Sequence, residues 1–275
     1  MAALFNPYFT KRLEFYKPRE AIESARARRP AIEKRLDNDH IVSMFESGSL
    51  NHGTAIWYYS DVDYFVRFYD SRPSSDAALQ RVKNSMVALY PTTDIRISKP
   101  AVKLNFDSGV KVELVPAYPA PEDDTYWIPN PNGDWMKSSP TRQNRFVTNA
   151  NNGHGEVKDT VRLLKIWKGN RSVPVSSFYL EMAVARYASS TADFSKAIAM
   201  YAVLLDIESN RVPSFEDPST FLSQIEGCTS QSARTETSSK AKSAHENIHQ
   251  AVDAAVASED QSAGAEYLER VFGEA

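Results

Sequence analysis

Asp61 and Asp63 are the residues whose type and spacing point most directly to chemistry. In the run Asp61-Val62-Asp63-Tyr64-Phe65-Val66-Arg67-Phe68, the residues Val62, Tyr64, Val66 and Phe68 alternate as an apolar face. A strand turns successive side chains to opposite faces, so the two aspartates point together the other way. Two carboxylates side by side repel, and either solvent or a divalent cation offsets that repulsion. A second run, Val110-Lys111-Val112-Glu113-Leu114-Val115, alternates in the same manner. If both runs share a sheet with their apolar faces on one side, Glu113 joins the aspartates on the other. Three carboxylates so gathered can hold two Mg2+ ions about 3.5–4 Å apart. Taken alone, Asp-x-Asp reads first as an acidic, solvent-facing strand, since such pairs are common on exposed faces.

The residues upstream favour the metal pair. Gly48-Ser49-Leu50-Asn51-His52-Gly53-Thr54 reads as a Gly-Ser turn leaving a strand and opening a helix. Such a turn offers backbone N–H groups and a hydroxyl to phosphate oxygens. An anion cradle followed by a carboxylate pair is what nucleotidyl transfer requires. Asn51 and Thr54 read as turn and helix-cap residues. Further on, Lys158, Arg162 and Lys165 share one helical face beside an apolar stripe of Val157, Val161, Leu164 and Trp167. A basic stripe of this kind is also simply a solvated face. Ser177 opens another helix, where its hydroxyl caps the helix or the N-terminus holds an anion. His52, His154, His245 and His249 show no metal-ligand spacing, and Cys228 reads as a small core residue.

The elements that must position these groups fall into two halves. The pattern predicts a helix over 18–37, with Pro18 in its first turn and a kink or restart at Pro30. Short strands are predicted at 41–45, 61–68, around Ile95 and Ile97, at 102–106 and at 110–115, with a helix over 76–90 between the second and third. Asp107-Ser108-Gly109 reads as a hairpin turn joining the last two strands. The stretch 117–135, rich in Pro, Asp, Asn and Gly, reads as a long connection or lid. Beyond it the pattern is helical: 155–169, 176–189, 193–206, 218–226 and a long segment over about 233–272.

Composition bounds the class. The chain has 275 residues, 42% of them hydrophobic, enough for a sizeable core. With 32 Lys+Arg against 35 Asp+Glu, the net charge is −3, which argues against a whole-protein coat for nucleic acid or membrane. A single cysteine excludes an internal disulfide framework and a multi-cysteine zinc module. The N-terminus lacks a signal-peptide pattern, and no stretch approaches the length of a membrane span. The expectation is a cytoplasmic, soluble protein.

The order Gly48-Ser49, Asp61-x-Asp63 and a later carboxylate resembles the polymerase-β-like nucleotidyltransferase superfamily. The closer likeness is to the CD-NTases, bacterial relatives of cyclic GMP-AMP synthase and oligoadenylate synthase. It is carried by GSLNHGTAIWYYSDVDYFV (48–66), VELVPAY (112–118), VRLLKIWK (161–168), SSFYLE (176–181) and AVDAAVASEDQSAGAEYLERVFG (251–273). The resemblance implies an α+β fold. A mixed-sheet catalytic core would occupy 1–135, with an N-terminal helix spanning both lobes. A helical, oligoadenylate-synthase-like domain would occupy 136–275, with NTPs in the cleft between. It makes Asp61, Asp63 and Glu113 the catalytic ligands of two Mg2+ ions, with Mn2+ able to substitute. Relatives commonly carry Asp at the third position, so Glu113 is a departure. The resemblance assigns the donor triphosphate to Ser49, Lys165 and Ser177, with Gly48 permitting close backbone approach. It leaves Arg162 and Lys168 at the surface or behind the ligands. Phe178 stacks on the donor base, and Tyr118 is a second stacking candidate.

The implied reaction joins NTPs, ATP among them, into a cyclic di- or trinucleotide with release of pyrophosphate. The product would signal to a downstream effector protein in anti-phage (CBASS) defence. The Cys/His zinc insertion by which animal relatives sense DNA has no counterpart in the sequence, so direct DNA sensing is not expected. Base choice, linkage, ring size, activating signal and oligomeric state are left open. Two other readings compete: a polymerase-β-like transferase acting on tRNA ends or protein side chains, and a catalytically silent nucleotide-binding protein.

Overall fold

The structure, a computed structural model, describes residues 4–17, 20–37, 41–56, 60–107, 109, 111–219 and 224–273; of Glu20, Ala21, Ile41 and Val42 it describes the backbone alone. Pro18, Ser108, Val110, part of the helix expected at 218–226 and the C-terminal Glu274-Ala275 lie outside the described residues. The chain divides into two compact units, Pro18–Asn144 and Met1–Lys17 with Arg145–Ala275.

The helix expected over 18–37 is α2 (Glu20–Asp37); a further helix, α1 (Asn6–Phe15), precedes it in sequence and belongs to the other unit. α2 runs on through Pro30. A proline there removes one helical hydrogen bond, but tertiary anchoring outweighs the loss. Ala25, Ile32 and Leu36 are fully buried in the core, and Arg26 grips the Glu46 carboxylate through two hydrogen bonds of 2.9 and 2.8 Å.

The first unit is built on β1 (Ile41–Ser47), α3 (Gly48–His52), β2 (Val62–Phe68), α4 (Ser75–Leu89), β3 (Asp94–Ser98), β4 (Ala101–Asn105), β5 (Lys111–Pro119), β6 (Tyr126–Pro129) and β7 (Trp135–Ser138). The strands form one sheet in the order β1-β2-β5-β4-β3, with β6 pairing β5 and β7. Among the described residues, only β2 and β5 run parallel. The expected β4–β5 hairpin is present, with Val102 opposite Leu114 and Leu104 opposite Val112. Alternation decides the layering. Val62, Tyr64, Val66, Phe68, Val112 and Leu114 turn one way and bury against α2 and α4, the latter contributing Ala78, Leu79, Val82 and Met86. Burying each such large aliphatic side chain contributes roughly 1.5–3 kcal/mol. The opposite face carries a smaller cluster of Phe65, Ala101, Val115, Ala117 and Ile128, leaving the start of β2 and β5 to polar groups.

The stretch 117–135 is not a lid. β5 extends to Pro119, and β6 and β7 add an antiparallel pair, Trp127 opposite Lys137. Its aromatics explain this: Tyr118 stacks on Phe68 with centroids 5.4 Å apart and meets Trp135 edge-on at 5.4 Å. Pro121, Pro131 and Gly133 lie in the connections, while Pro119 and Pro129 end β5 and β6.

The second unit holds α1 together with α5 (Pro140–His154) from Arg145 onward, α6 (Val157–Asn170), α7 (Ser177–Ser190), α8 (Lys196–Ser209), β8 (Phe215–Glu216), β9 (Gln224–Ile225), α9 (Gln231–Ser258) and α10 (Ala265–Phe272). The N-terminal segment joins this unit because its aromatics pack there. Phe9 meets Phe272 edge-on at 6.3 Å, and Arg12 bonds Glu269 at 2.6 Å. The division between the two units thus falls inside α5. In place of a helix over 218–226, the described residues give a turn and the short β8–β9 pair. The Asp217 carboxylate accepts from the Ser219 backbone at 2.9 Å, which favours the turn. The long C-terminal helix breaks after Ser258, where Glu259 adopts a left-handed conformation with φ 54°.

Candidate active site

β1 delivers the chain into α3 through Gly48, and β1 is paired antiparallel to β2 so that Ser47 lies opposite Asp63. Gly48 has φ +63°, and a Cβ on it would lie 2.0 Å from Asp63 Oδ2. Only glycine lets the backbone of the turn approach that carboxylate so closely. The Ser49 carbonyl accepts from the Thr54 backbone N–H at 2.8 Å and from its hydroxyl at 3.4 Å, which closes the turn. Thr54 is therefore buried in the turn that follows α3, and Asn51 is an exposed residue within α3.

The parallel pairing of β2 and β5 sets Asp63 directly beside Glu113. Glu113 also has Asp61 beside it and pairs with the Lys103 ammonium. Burial, first, and the contact with Asp61 raise the Glu113 carboxyl above the ordinary range, against the pull of Lys103. Conversely, Glu113, Asp61 and Asp63 all raise the Lys103 ammonium against its desolvation. Among the described residues, no three His, Cys, Asp or Glu side chains are grouped tightly enough to hold a metal as they stand. The carboxylates converge, but Lys103 holds one of them. The donor set itself fits a hard cation: three carboxylates, with the Gly48 backbone clearing the space beside Asp63.

In the helical unit, Ser176 rather than Ser177 caps α7, its hydroxyl accepting from the Tyr179 backbone at 3.4 Å. Ser177 is the first helical residue, and its hydroxyl accepts from Lys168 Nζ at 2.8 Å. Phe178 beside it is 36% exposed, available as a stacking surface. Lys165 is placed differently from the expectation. Its ammonium is buried and bonded to Glu181 Oε2 at 2.9 Å, with side chains 5% and 3% exposed. The reason is that α6 is buried all round at this point, with Leu163, Leu164, Ile166 and Trp167 inside as well, whereas Lys168, three residues on, is half-buried near the helix end. Thus Lys168 meets Ser177, and Lys165 meets Glu181. Tyr118 is 2% exposed within the core, with burial pushing its phenol up to about 12, so it offers no face to a base.

Two functional-looking residues carry little sequence signal. Lys103 is one alternating lysine on an ordinary strand, and only the register of β4 against β5 sets it beside Glu113. Lys168 was readable as one of several cations on α6.

A carboxylate row beside a glycine-led turn on a mixed sheet defines a polymerase-β-like nucleotidyltransferase. Residues 4–151, more than half of the chain, match the Second Messenger Oligonucleotide or Dinucleotide Synthetase domain. A probable cyclic nucleotide synthase of Bacillus cereus (strain VD146) is 29% identical over 126 residues, 43% of this chain and 38% of the relative. The chain therefore spans well under two thirds of that protein. The CBASS oligonucleotide cyclase CdnC of Escherichia coli (strain KTE188) is 25% identical over 224 residues, 71% of each chain. The solved complex of E. coli MS115-1 CdnC with HORMA-deltaN shares the fold at a TM-score of 0.74, with 19% identity over 97% of this chain and 96% of that one. The chain belongs to the second messenger oligonucleotide or dinucleotide synthetase family, within the CD-NTases. Among the described residues, no helix is long and apolar enough to cross a membrane.

Proposed function

We propose that this protein joins nucleoside triphosphates into a cyclic di- or trinucleotide second messenger for CBASS anti-phage signalling. The observation that carries the reading is the pairing of Asp63 with Glu113 on parallel strands, with Asp61 against Glu113 and Gly48 against Asp63. Asp61, Asp63 and Glu113 are the residues that would hold two Mg2+ ions, or Mn2+ in their place. When bound, these ions supply Lewis-acid activation of an acceptor ribose hydroxyl and neutralise charge on departing pyrophosphate. The chain's own residues bind and orient the substrates. The Gly48 backbone and Ser49 hydroxyl cradle phosphate oxygens. Ser177 offers a hydroxyl at the start of α7, and Lys168, already on that hydroxyl, is its nearest cation. Lys165 joins them only by letting go of Glu181. The exposed ring of Phe178 stacks on the donor base. Holding donor phosphate and acceptor hydroxyl together in line accounts for much of the acceleration.

The reaction forms a P–O bond from the acceptor ribose oxygen to the α-phosphorus, breaks the α–β P–O bond and releases the hydroxyl proton. A second transfer within the linear product closes the ring. The solved CdnC relative stands in complex with HORMA-deltaN, so a HORMA-type partner is the first to test alongside the cyclic product's effector. A cytoplasmic location suits the single cysteine and near-balanced charge. The test is incubation of the protein with four NTPs and Mg2+, no acceptor added, followed by mass spectrometry. A phosphatase-resistant cyclic product supports the reading. Labelled tRNA or protein in acceptor-containing reactions, or NTP binding without pyrophosphate release, would overturn it.

A further inference from the structure

The row that contains the carboxylates does not end with them. Across the sheet, Ser47 faces Asp63, Asp63 faces Glu113 and Glu113 faces Lys103. Glu113 has a neighbour on each side: the Lys103 ammonium pairs with it, and the like charge of Asp61 presses on it. Its side chain is 16% exposed, whereas that of Lys103 is 35% exposed. Carboxylates gathered at a half-buried site destabilise one another unless a cation stands among them. Among the described residues, Lys103 is the cation that the structure sets on Glu113, and it also feels Asp61 and Asp63.

We infer that Lys103 is a placeholder cation for the metal site, a positioning residue that holds Glu113 beside Asp61 until divalent ions arrive and then yields it. The inference rests on the metal-site reading above. Lysine suits the task. Its ammonium is a compact, strongly hydrated charge on a flexible four-carbon stem. From a partly exposed position it can swing into water, which a buried or bidentate arginine could not do as readily. The length of Glu113 belongs to the same arrangement. Aspartate would be one methylene shorter, and Glu113 spans the distance between Lys103 and Asp61. The consequence is that an incoming ion must displace an ammonium, so affinity for free metal is held down.

The test is Mn2+ binding to the whole chain without nucleotide, read by electron paramagnetic resonance of the free ion, for wild type, Lys103→Met, Lys103→Gln and Asp63→Asn. Removing one positive charge a few ångströms from the ion tightens Mn2+ binding by about tenfold. In chelator, Lys103→Met melts below wild type, and the gap closes as Mn2+ is added. A merely structural lysine would leave that gap constant. Affinity unchanged in both Lys103 variants, or a melting gap indifferent to Mn2+, overturns the inference. If Lys103→Met does not fold, Lys103→Gln alone decides by the same two readings. If Asp63→Asn binds Mn2+ as wild type does, the metal-site reading itself fails, and the inference with it.

Discussion

Replacing Gly48 by alanine puts the geometry of the candidate site to a quantitative test. A Cβ at Gly48 would lie 2.0 Å from Asp63 Oδ2 and 2.7 Å from its Cγ, where ordinary contact begins near 3.4 Å. The carboxylate would have to retreat by 3.4 − 2.0 = 1.4 Å, or the turn by as much. The φ of +63° adds a second cost, since an L-residue in the left-handed region loses roughly 1–2 kcal/mol. Gly155 provides the control. It has φ +78° with nothing within 4 Å of a Cβ, so Gly155→Ala suffers the conformational strain alone. Both variants should lose roughly 1–2 kcal/mol in urea denaturation from this strain, with Gly48→Ala losing somewhat more. Pyrophosphate release separates them sharply. Displacing a catalytic group by about 1 Å costs on the order of 100-fold, so Gly48→Ala should fall by that much or more while Gly155→Ala keeps wild-type turnover. Equal activity in the two variants would refute the close packing of the Gly-Ser turn on Asp63.

Other substitutions test the remaining placements. Lys165→Ala should destabilise the protein by roughly 3–5 kcal/mol in chemical denaturation, because it strands the buried Glu181 carboxylate. Lys168→Ala should leave stability nearly unchanged and raise the KM for NTP; the reverse pattern would return the phosphate role to Lys165. Tyr118→Ala should cost roughly 3–5 kcal/mol by removing a buried ring, with KM for NTP unaltered. His245 is held below the ordinary imidazole range first by burial, and it faces Tyr201, Glu208, Glu246, Lys242 and His249. A depressed folded pKa means that its contribution is intact above the unfolded value and lost as pH falls through the folded one. His245→Gln should therefore flatten the decline of the melting temperature between about pH 7 and 5; parallel declines in variant and wild type would remove His245 from that account.

What the sequence made legible was local. The alternation around Asp61 and Asp63, the hairpin ahead of Glu113 and the helical stripe of α6 are all written in residues a few positions apart. The parallel pairing of Asp63 with Glu113 joins strands separated by a helix and two further strands, so its register could be conjectured only as a shared face. The β6–β7 pair was hidden by composition: Pro, Asp and Gly dominate 117–135, while its few aromatics carry the packing. α5 was hidden likewise, since Asn, Gly and Thr in 140–154 obscure the helical stripe that Pro140 begins. Pairings made by charge were the least visible. Nothing near Lys165 announces Glu181, and nothing near Lys103 announces Glu113; three-dimensional register alone selects them. For the same reason, α1 reads as part of the catalytic core until Phe9 and Arg12 are seen against Phe272 and Glu269.

The central claim is that Asp61, Asp63 and Glu113 together carry nucleotidyl transfer. Comparing pyrophosphate release from NTPs and Mg2+ by wild type and Asp63→Asn, with NTP binding followed in parallel, tests it most directly. The expected result is a rate lower by at least about 1,000-fold, roughly 4 kcal/mol of lost transition-state stabilisation, in a folded protein that still binds NTP. An Asp63→Asn enzyme that releases pyrophosphate at the wild-type rate would contradict the account.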